Sequence, residues 1–161
     1  MDYIVTFTAQ YLMIFSVLAC IYLYFVLDQR KRKSFVLTLF IGGVITLLLA
    51  QLGSMLYDNP RPFISDGSTA LFSASLDNGF PSDHTLLAAY LGFVAFFYRR
   101  WLGVTLLAIA FLVGWARVAG GVHYFVDIVG SFAFAAAGVW VAKVTTDRLL
   151  KTNLPEPTKE K

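Results

Sequence analysis

The sequence predicts an all-α fold, a polytopic membrane helix bundle of about five transmembrane helices with the N-terminus outside and the C-terminus cytoplasmic. Three observations carry this. Hydrophobic residues make up 58% of the chain and charged residues only 14%, and a mean hydropathy of +0.68 lies far above that of a soluble globular domain. The apolar residues collect in five runs, roughly 9–27, 34–57, 84–98, 101–116 and 122–143. Eleven of the thirteen Lys and Arg fall in connections on one side of that arrangement, which marks the cytoplasmic side.

The first run reads as a retained span, not a cleavable signal. No basic segment precedes it, Asp2 is acidic, and the apolar residues continue past Cys20 to Leu27. Cys20 is the sole cysteine, so no disulfide forms within the chain, and in mid-span it serves as a small apolar packer. The connection Arg30-Lys-Arg-Lys33 leads into the second run. The third and fourth runs fall short of the about 20 residues that a bilayer-spanning helix needs and are expected to gain a turn from flanking polar residues. After the fifth run the tail is polar and carries Pro155 and Pro157. Residues 1–146 are therefore expected to form one transmembrane domain and residues 147–161 a disordered cytoplasmic tail. The net charge of +3 follows from the topological bias, and no basic face with interleaved aromatics suggests a nucleic-acid partner. The expected location is the inner (plasma) membrane.

The remaining ionisable residues sort to the other side. His84, His123, Arg61, Arg117 and five aspartates (Asp58, Asp66, Asp77, Asp83, Asp127) fall at the outer face or just inside an outer helix end. A lone Arg there snorkels, a lone Asp caps a helix, and each taken singly has a structural explanation. Their convergence from three separate connections points to a site facing the outside, or periplasm.

Three stretches bring the chemistry. In Ala116-Arg117-Val-Ala-Gly-Gly-Val-His123-Tyr-Phe-Val-Asp127 the histidine and aspartate are four apart, which on a helix places them on one face. A carboxylate that accepts from one imidazole nitrogen fixes the tautomer and leaves the other lone pair able to attack. In Gly79-Phe-Pro-Ser-Asp-His84, Asn78-Gly79 favours a turn and Ser82 is a favoured N-cap, so the amides of Ser82, Asp83 and His84 would face an anion beside His84. In Tyr57-Asp-Asn-Pro-Arg61-Pro-Phe63 two prolines restrict Arg61, whose planar fork suits bidentate contact with phosphate. Together they describe a phosphoryl-transfer site. The spacing offers no zinc-type ligand set, so neither a metal nor a cofactor is expected.

At these residues the sequence resembles the type 2 phosphatidic acid phosphatase superfamily, whose motifs read Lys-x6-Arg-Pro, Pro-Ser-Gly-His and Ser-Arg-x5-His-x3-Asp. Here they stand as Arg61-Pro62, Pro81-Ser-Asp-His84 and Ala116-Arg117-x5-His123-x3-Asp127. The resemblance implies that His123 attacks phosphorus, Asp127 orients it, and His84 protonates the leaving oxygen. It further implies that Arg61, Arg117, Ser82 and the amides near Asp83 and His84 hold the phosphate oxygens. Three positions depart from the pattern. Ser54 stands where the family has lysine, Ala116 replaces a hydroxyl residue, and Asp83 replaces glycine. Asp83 reads equally as a group that positions an arginine or water and as an acidic first-turn residue favoured by the helix dipole.

The lysine-free first motif and Asn-Gly-Phe-Pro-Ser-Asp-His-Thr are similar to bacterial undecaprenyl-diphosphatases of the bacitracin-resistance type. That similarity implies removal of the terminal phosphate of undecaprenyl diphosphate for cell-wall synthesis. Phosphatidylglycerol phosphate, phosphatidic acid and shorter prenyl diphosphates remain alternative substrates, because tail recognition rests on apolar contacts. A transporter would place ionisable groups at mid-membrane depth, where this sequence has none. For a catalytically inactive membrane scaffold speaks the missing lysine; against it speak both histidines, both arginines and Asp127. Tyr57, Tyr124, Trp101 and Trp115 read as interface anchors, and Gly120-Gly121 as a tight turn before His123.

Overall fold

A computed structural model describes residues 2–152. Among them are seven helices and no strand: α1 (Asp2–Tyr11), α2 (Met13–Val26), α3 (Gln29–Leu56), α4 (Pro62–Ser65), α5 (Asp83–Tyr98), α6 (Arg100–Ala119) and α7 (Phe125–Thr152). Helices α1 and α2 meet at Leu12 and together make one stretch, Asp2–Val26, long and apolar enough to cross a bilayer; α3, α6 and Phe125–Lys151 of α7 are the other three. Large apolar side chains cover the outside of the bundle, with Leu56 86%, Trp101 85% and Phe40 73% exposed. So large an apolar exterior suits lipid, not water.

The expected shortness of the third span holds. α5 has 16 residues, about 24 Å of helix against a hydrocarbon core of about 30 Å. It is also the most enclosed helix, packing on α2, α3, α6 and α7, with Ala88, Ala89, Val94 and Ala95 fully buried. Protein surrounds most of it, and only Leu87 and Phe97 among its large apolar side chains are exposed. The fourth span extends further than the apolar run suggested, to 20 residues. α7 continues to Thr152, six residues past the expected domain boundary at 146; the rest of the tail, 153–161, lies outside the described residues.

The turns follow from local chemistry. Asp28 caps α3 by accepting from the Lys31 amide at 2.9 Å, and Arg32 donates to the carbonyls of Phe25 and Leu27. One charged side chain thus satisfies the first turn of α3 and another the last turn of α2. Small residues let α3 and α7 approach closely, Gly42 facing Ala142 and Gly138 facing Thr46. At the same end as the Asp28 turn, the Tyr98 hydroxyl is shared with Ser34 and Thr38 at 2.9 Å each. That end gathers the basic residues of 30–33, 99–100 and 143–151, while Arg61, His84, Arg117 and His123 lie at the other.

Tyr98→Phe removes the hydroxyl that joins α5 to both Ser34 and Thr38 and leaves two part-buried groups with one partner fewer. A loss of about 1 kcal/mol is expected, seen as a lower melting temperature in detergent with helix content unchanged.

Candidate active site

Five segments build the site: the end of α1, the α3–α4 connection, the loop 66–82, the first turn of α5, and the chain from the last turn of α6 to the first turn of α7. Asn78 organises the first two. Its Oδ1 accepts from the amides of Asn59 and Phe80, and its Nδ2 donates to the Ser54 and Tyr57 carbonyls. The expected Asn78-Gly79 turn is therefore an Asx-type turn that also grips the end of α3. Gly79 admits no side chain, since a Cβ would come within 2.9 Å of the Asn59 carbonyl and 3.3 Å of Asp127 Oδ2. Arg61 precedes Pro62, the first residue of α4, and its side chain is 5% exposed.

On the other side of the site Arg117 stands in the last turn of α6, and Gly121 takes φ +71°, a left-handed turn that sends the chain back toward α7. His123 and Asp127 do meet, Nδ1 to Oδ2 at 3.1 Å, but not as two residues on one helical face. α7 starts at Phe125, so His123 lies in the turn before it and Asp127 in the first turn. There the carboxylate reaches back to the Tyr124 amide at 2.9 Å, as the acidic member of a capping box does. Oδ1 accepts from Asn59 Nδ2 at 2.7 Å. Asp127 is fully buried and has three donors.

The tautomer of His123 follows from its neighbours. Its Nε2 lies 3.1 Å from Arg61 Nη1 and 3.4 Å from Arg117 Nη2, and a guanidinium has donors only. Nε2 therefore accepts and Nδ1 carries the proton to Asp127. Burial holds the pKa of His123 below the ordinary imidazole value, and the two guanidinium charges add to this while Asp127 opposes it. The ring is a neutral base with its lone pair turned toward two cations.

A cavity of about 420 Å³ opens in front of that lone pair, lined by Arg61, Asp83, His84, Arg117 and His123 together with Gln10, Tyr11 and residues 73–75. The Nε atoms of Arg61 and Arg117 are buried and have no protein hydrogen-bond partner among the described residues, so the site holds donor capacity for an anion. One carboxylate already uses part of it. Asp77 Oδ1 accepts from Arg61 Nη2 at 2.9 Å and from Ser75 Oγ at 2.5 Å, and these contacts, the Ser75 hydroxyl first, hold the Asp77 carboxyl below its usual range. No group of three or more His, Cys, Asp or Glu among the described residues is placed to hold a metal ion.

Six of the seven residues singled out from the sequence, Arg61, Asp83, His84, Arg117, His123 and Asp127, gather here. Ser82 is the exception. It occupies the N-cap position of α5, yet its hydroxyl is fully buried and meets Thr85 Oγ1 at 3.1 Å, and its amide points to the Asp127 carbonyl at 3.4 Å. Its carbonyl accepts from Ser131. Ser82 ties α5 to α7 and does not reach the cavity, whereas Asp83 and His84 do. Sequence reasoning missed Asn59, Ser75, Gln10 and Tyr11 altogether and gave Asp77 no role. Asn59, between two residues already under notice, was the one within reach of a closer reading.

The pattern of the PAP2 superfamily matches residues 33–151. The bacitracin transport permease protein BcrC of Bacillus licheniformis is 33% identical over 126 residues, 78% of this chain and 62% of that protein. The undecaprenyl-diphosphatase BcrC of Bacillus subtilis (strain 168) is 31% identical over 135 residues, 84% of this chain and 69% of that one. The chain thus spans less than two thirds of the first relative's length. In fold it is similar to the crystal structure of a transmembrane PAP2 type phosphatidylglycerolphosphate phosphatase from Bacillus subtilis, with a TM-score of 0.67 at 21% identity over 92% of this chain and 77% of that one.

Asp77→Asn removes the charge that competes for Arg61 while keeping the loop's shape. Inorganic phosphate should then bind more tightly than to the unaltered protein, read as a larger rise in melting temperature at equal phosphate concentration.

Proposed function

The chain belongs to the PAP2 superfamily, and from that premise we propose that it is a membrane phosphatase that hydrolyses a lipid diphosphate, undecaprenyl diphosphate best of all, releasing undecaprenyl phosphate and phosphate. One observation carries the chemistry: a neutral imidazole, its far nitrogen bonded to a buried carboxylate, presents its lone pair between two guanidinium groups. Nucleophile and anion cradle are the same place.

In the proposed reaction the terminal phosphate lies against Arg61, Arg117 and the first-turn amides of Asp83 and His84. His123 Nε2 attacks phosphorus and the bond from phosphorus to the bridging oxygen breaks. His84, which takes up a proton from solvent once the negative phosphate lies beside it, gives that proton to the leaving oxygen. His84 then takes a proton from water, whose oxygen attacks phosphorus. The P–N bond breaks, phosphate leaves, and the electron pair returns to Nε2. Asp127 stabilises the positive charge that the imidazole gains. Asn59 acts through Asp127 as a positioning residue, holding the carboxylate oxygen that His123 does not use.

The lipid class rests on two supports. The B. subtilis relative is named for undecaprenyl diphosphate, and α5, whose N-terminus carries His84, is about 6 Å shorter than the hydrocarbon core it would cross. A diphosphate at headgroup depth would meet the site with its tail still in the bilayer. Counting α5 gives five spans, and the basic end then lies in the cytoplasm with the site outside.

Purified protein should release phosphate from undecaprenyl diphosphate faster than from phosphatidylglycerol phosphate or phosphatidic acid, in the presence of a chelator. His123→Ala should lower that rate by at least about a thousandfold, while Ser54→Ala, which removes one contact to Asn78, keeps most of it. Equal turnover by the His123 variant would end the mechanism, and a different best substrate would redirect the lipid assignment alone.

The pH dependence separates positioning from folding. Because burial depresses the His123 pKa, the protonated and inert form arises only at lower pH, and the acid limb of kcat/KM should lie below the ordinary imidazole value of about 6.5. Asn59→Ala leaves the Asp127 charge less satisfied and better able to stabilise an imidazolium. It should lower kcat by about tenfold and move that limb to higher pH. A loss of activity with an unmoved limb would assign Asn59 a structural part only.

A further inference from the structure

A second cavity, of about 570 Å³, lies at the end of the bundle opposite His123, where the first turn of α3 and the last turns of α7 face the C-terminal end of α5. Among the described residues four cations line it, Arg30 and Lys31 from α3 and Lys143 and Lys151 from α7, against one carboxylate, Asp147. That carboxylate is already engaged, since Lys143 pairs with it. The ammonium of Lys143 also stands 5.8 Å from the centre of the Tyr98 ring. Lys31 has a partner in Asp28 at 3.5 Å, but both side chains are more than half exposed, and such a pair is weak and screened.

A preference for basic residues at cytoplasmic span ends does not account for this arrangement. It requires cations near the ends of spans, not cations from two helices turned into one concavity. Arg30 and Lys31 moreover stand in the first turn of α3, the end at which the helix dipole disfavours positive charge. The Asp28 cap offsets part of their cost at that helix end, and an anion held between the side chains would offset more. The cavity's depth along the bundle names the source of that anion, because a site at the ends of α3, α5 and α7 lies level with lipid headgroups. Phe97 and Leu150, which also line it, offer an apolar wall to the upper part of an acyl chain.

We propose that this cavity binds the headgroup phosphate of an anionic phospholipid in the leaflet at this end of the bundle, a site separate from the one around His123. Arg30 supplies a planar fork to the phosphate, and Lys31, Lys143 and Lys151 supply point charges around it. The bound lipid clamps α3 to α7 at the end where Tyr98 already joins α5 to α3.

The test uses the full chain in nanodiscs of phosphatidylcholine with and without phosphatidylglycerol, reading the lipid kept on the protein by native mass spectrometry and the melting temperature. Phosphatidylglycerol should be retained selectively and raise the melting temperature. The double variant Arg30→Gln, Lys31→Gln, which leaves Arg32, Lys33, Arg99 and Arg100 to direct insertion, should lose that selectivity by about tenfold or more. Lys151→Gln, near the end of α7 and little able to disturb folding, should lower it in the same direction. Selectivity unchanged in both variants would overturn the proposal. So would an equal stabilisation by inorganic phosphate in pure phosphatidylcholine discs that is lost in the Arg30→Gln, Lys31→Gln variant, which would assign this cavity, and not the one around His123, to a soluble anion.

Discussion

A carboxylate with no access to solvent, in the first turn of an apolar helix, costs several kcal/mol unless donors surround it. Asp127 meets that condition with three donors from different places: Asn59 in the connection after α3, His123 in the turn after α6, and the backbone of Tyr124. Its carbonyl also receives the Ser82 amide and the Ser131 hydroxyl. The ends of α3, α5, α6 and α7 therefore meet at one residue. The ring orientation of His123 is a consequence, and so is the position of Gly79, whose backbone bonds to Asn59 and leaves no room for a Cβ beside the carboxylate.

The convergence of Arg61, His84, Arg117 and His123 was legible because each is expensive in an apolar chain and all fall at the same ends of the spans. A residue type that is rarely tolerated carries information by its presence. Asn59, Ser75, Gln10 and Tyr11 carry little, since small polar and amphipathic residues are ordinary at span ends and in loops. Only the folded path of 57–80 brings Asn59 against Asp127. The four-residue spacing of His123 and Asp127 gave the right pair for a wrong reason. Spacing assumes a helix, but a histidine two residues before the helix start reaches the same aspartate once that aspartate folds back as a cap. Ser82 shows the converse: a favoured N-cap residue was read as a phosphate donor, and packing of α5 on α7 claimed its hydroxyl and amide first.

The three departures from the family pattern acquire different meanings in the fold. Ser54 is not among the residues lining the cavity; its hydroxyl and carbonyl hold Asn78, which in turn holds Asn59. The position supports the site through two intermediaries, so the charge lost with the lysine leaves a structural contact behind. Ala116 is fully buried. Asp83 is exposed at the cavity's edge, in the first turn of α5, where a negative charge is favoured by the helix dipole.

The contact between Arg61 and Asp77 bears on how an anion can enter at all. Removing one partner from a buried ion pair is strongly unfavourable, because the remaining charge is left desolvated and alone. Arg61 is almost wholly buried while Asp77 is largely exposed, so the two do not share that penalty. If Asp77 swings out it returns to water, and a phosphate oxygen arriving as it leaves keeps the guanidinium paired. Exchange of one anion for another is then cheap, whereas opening an empty site would not be. The same asymmetry keeps Arg61 from collapsing fully onto His123, whose Nε2 it touches through Nη1 while Asp77 and Ser75 hold Nη2. The loop carboxylate thus keeps the cradle charged and in place for the ligand that displaces it.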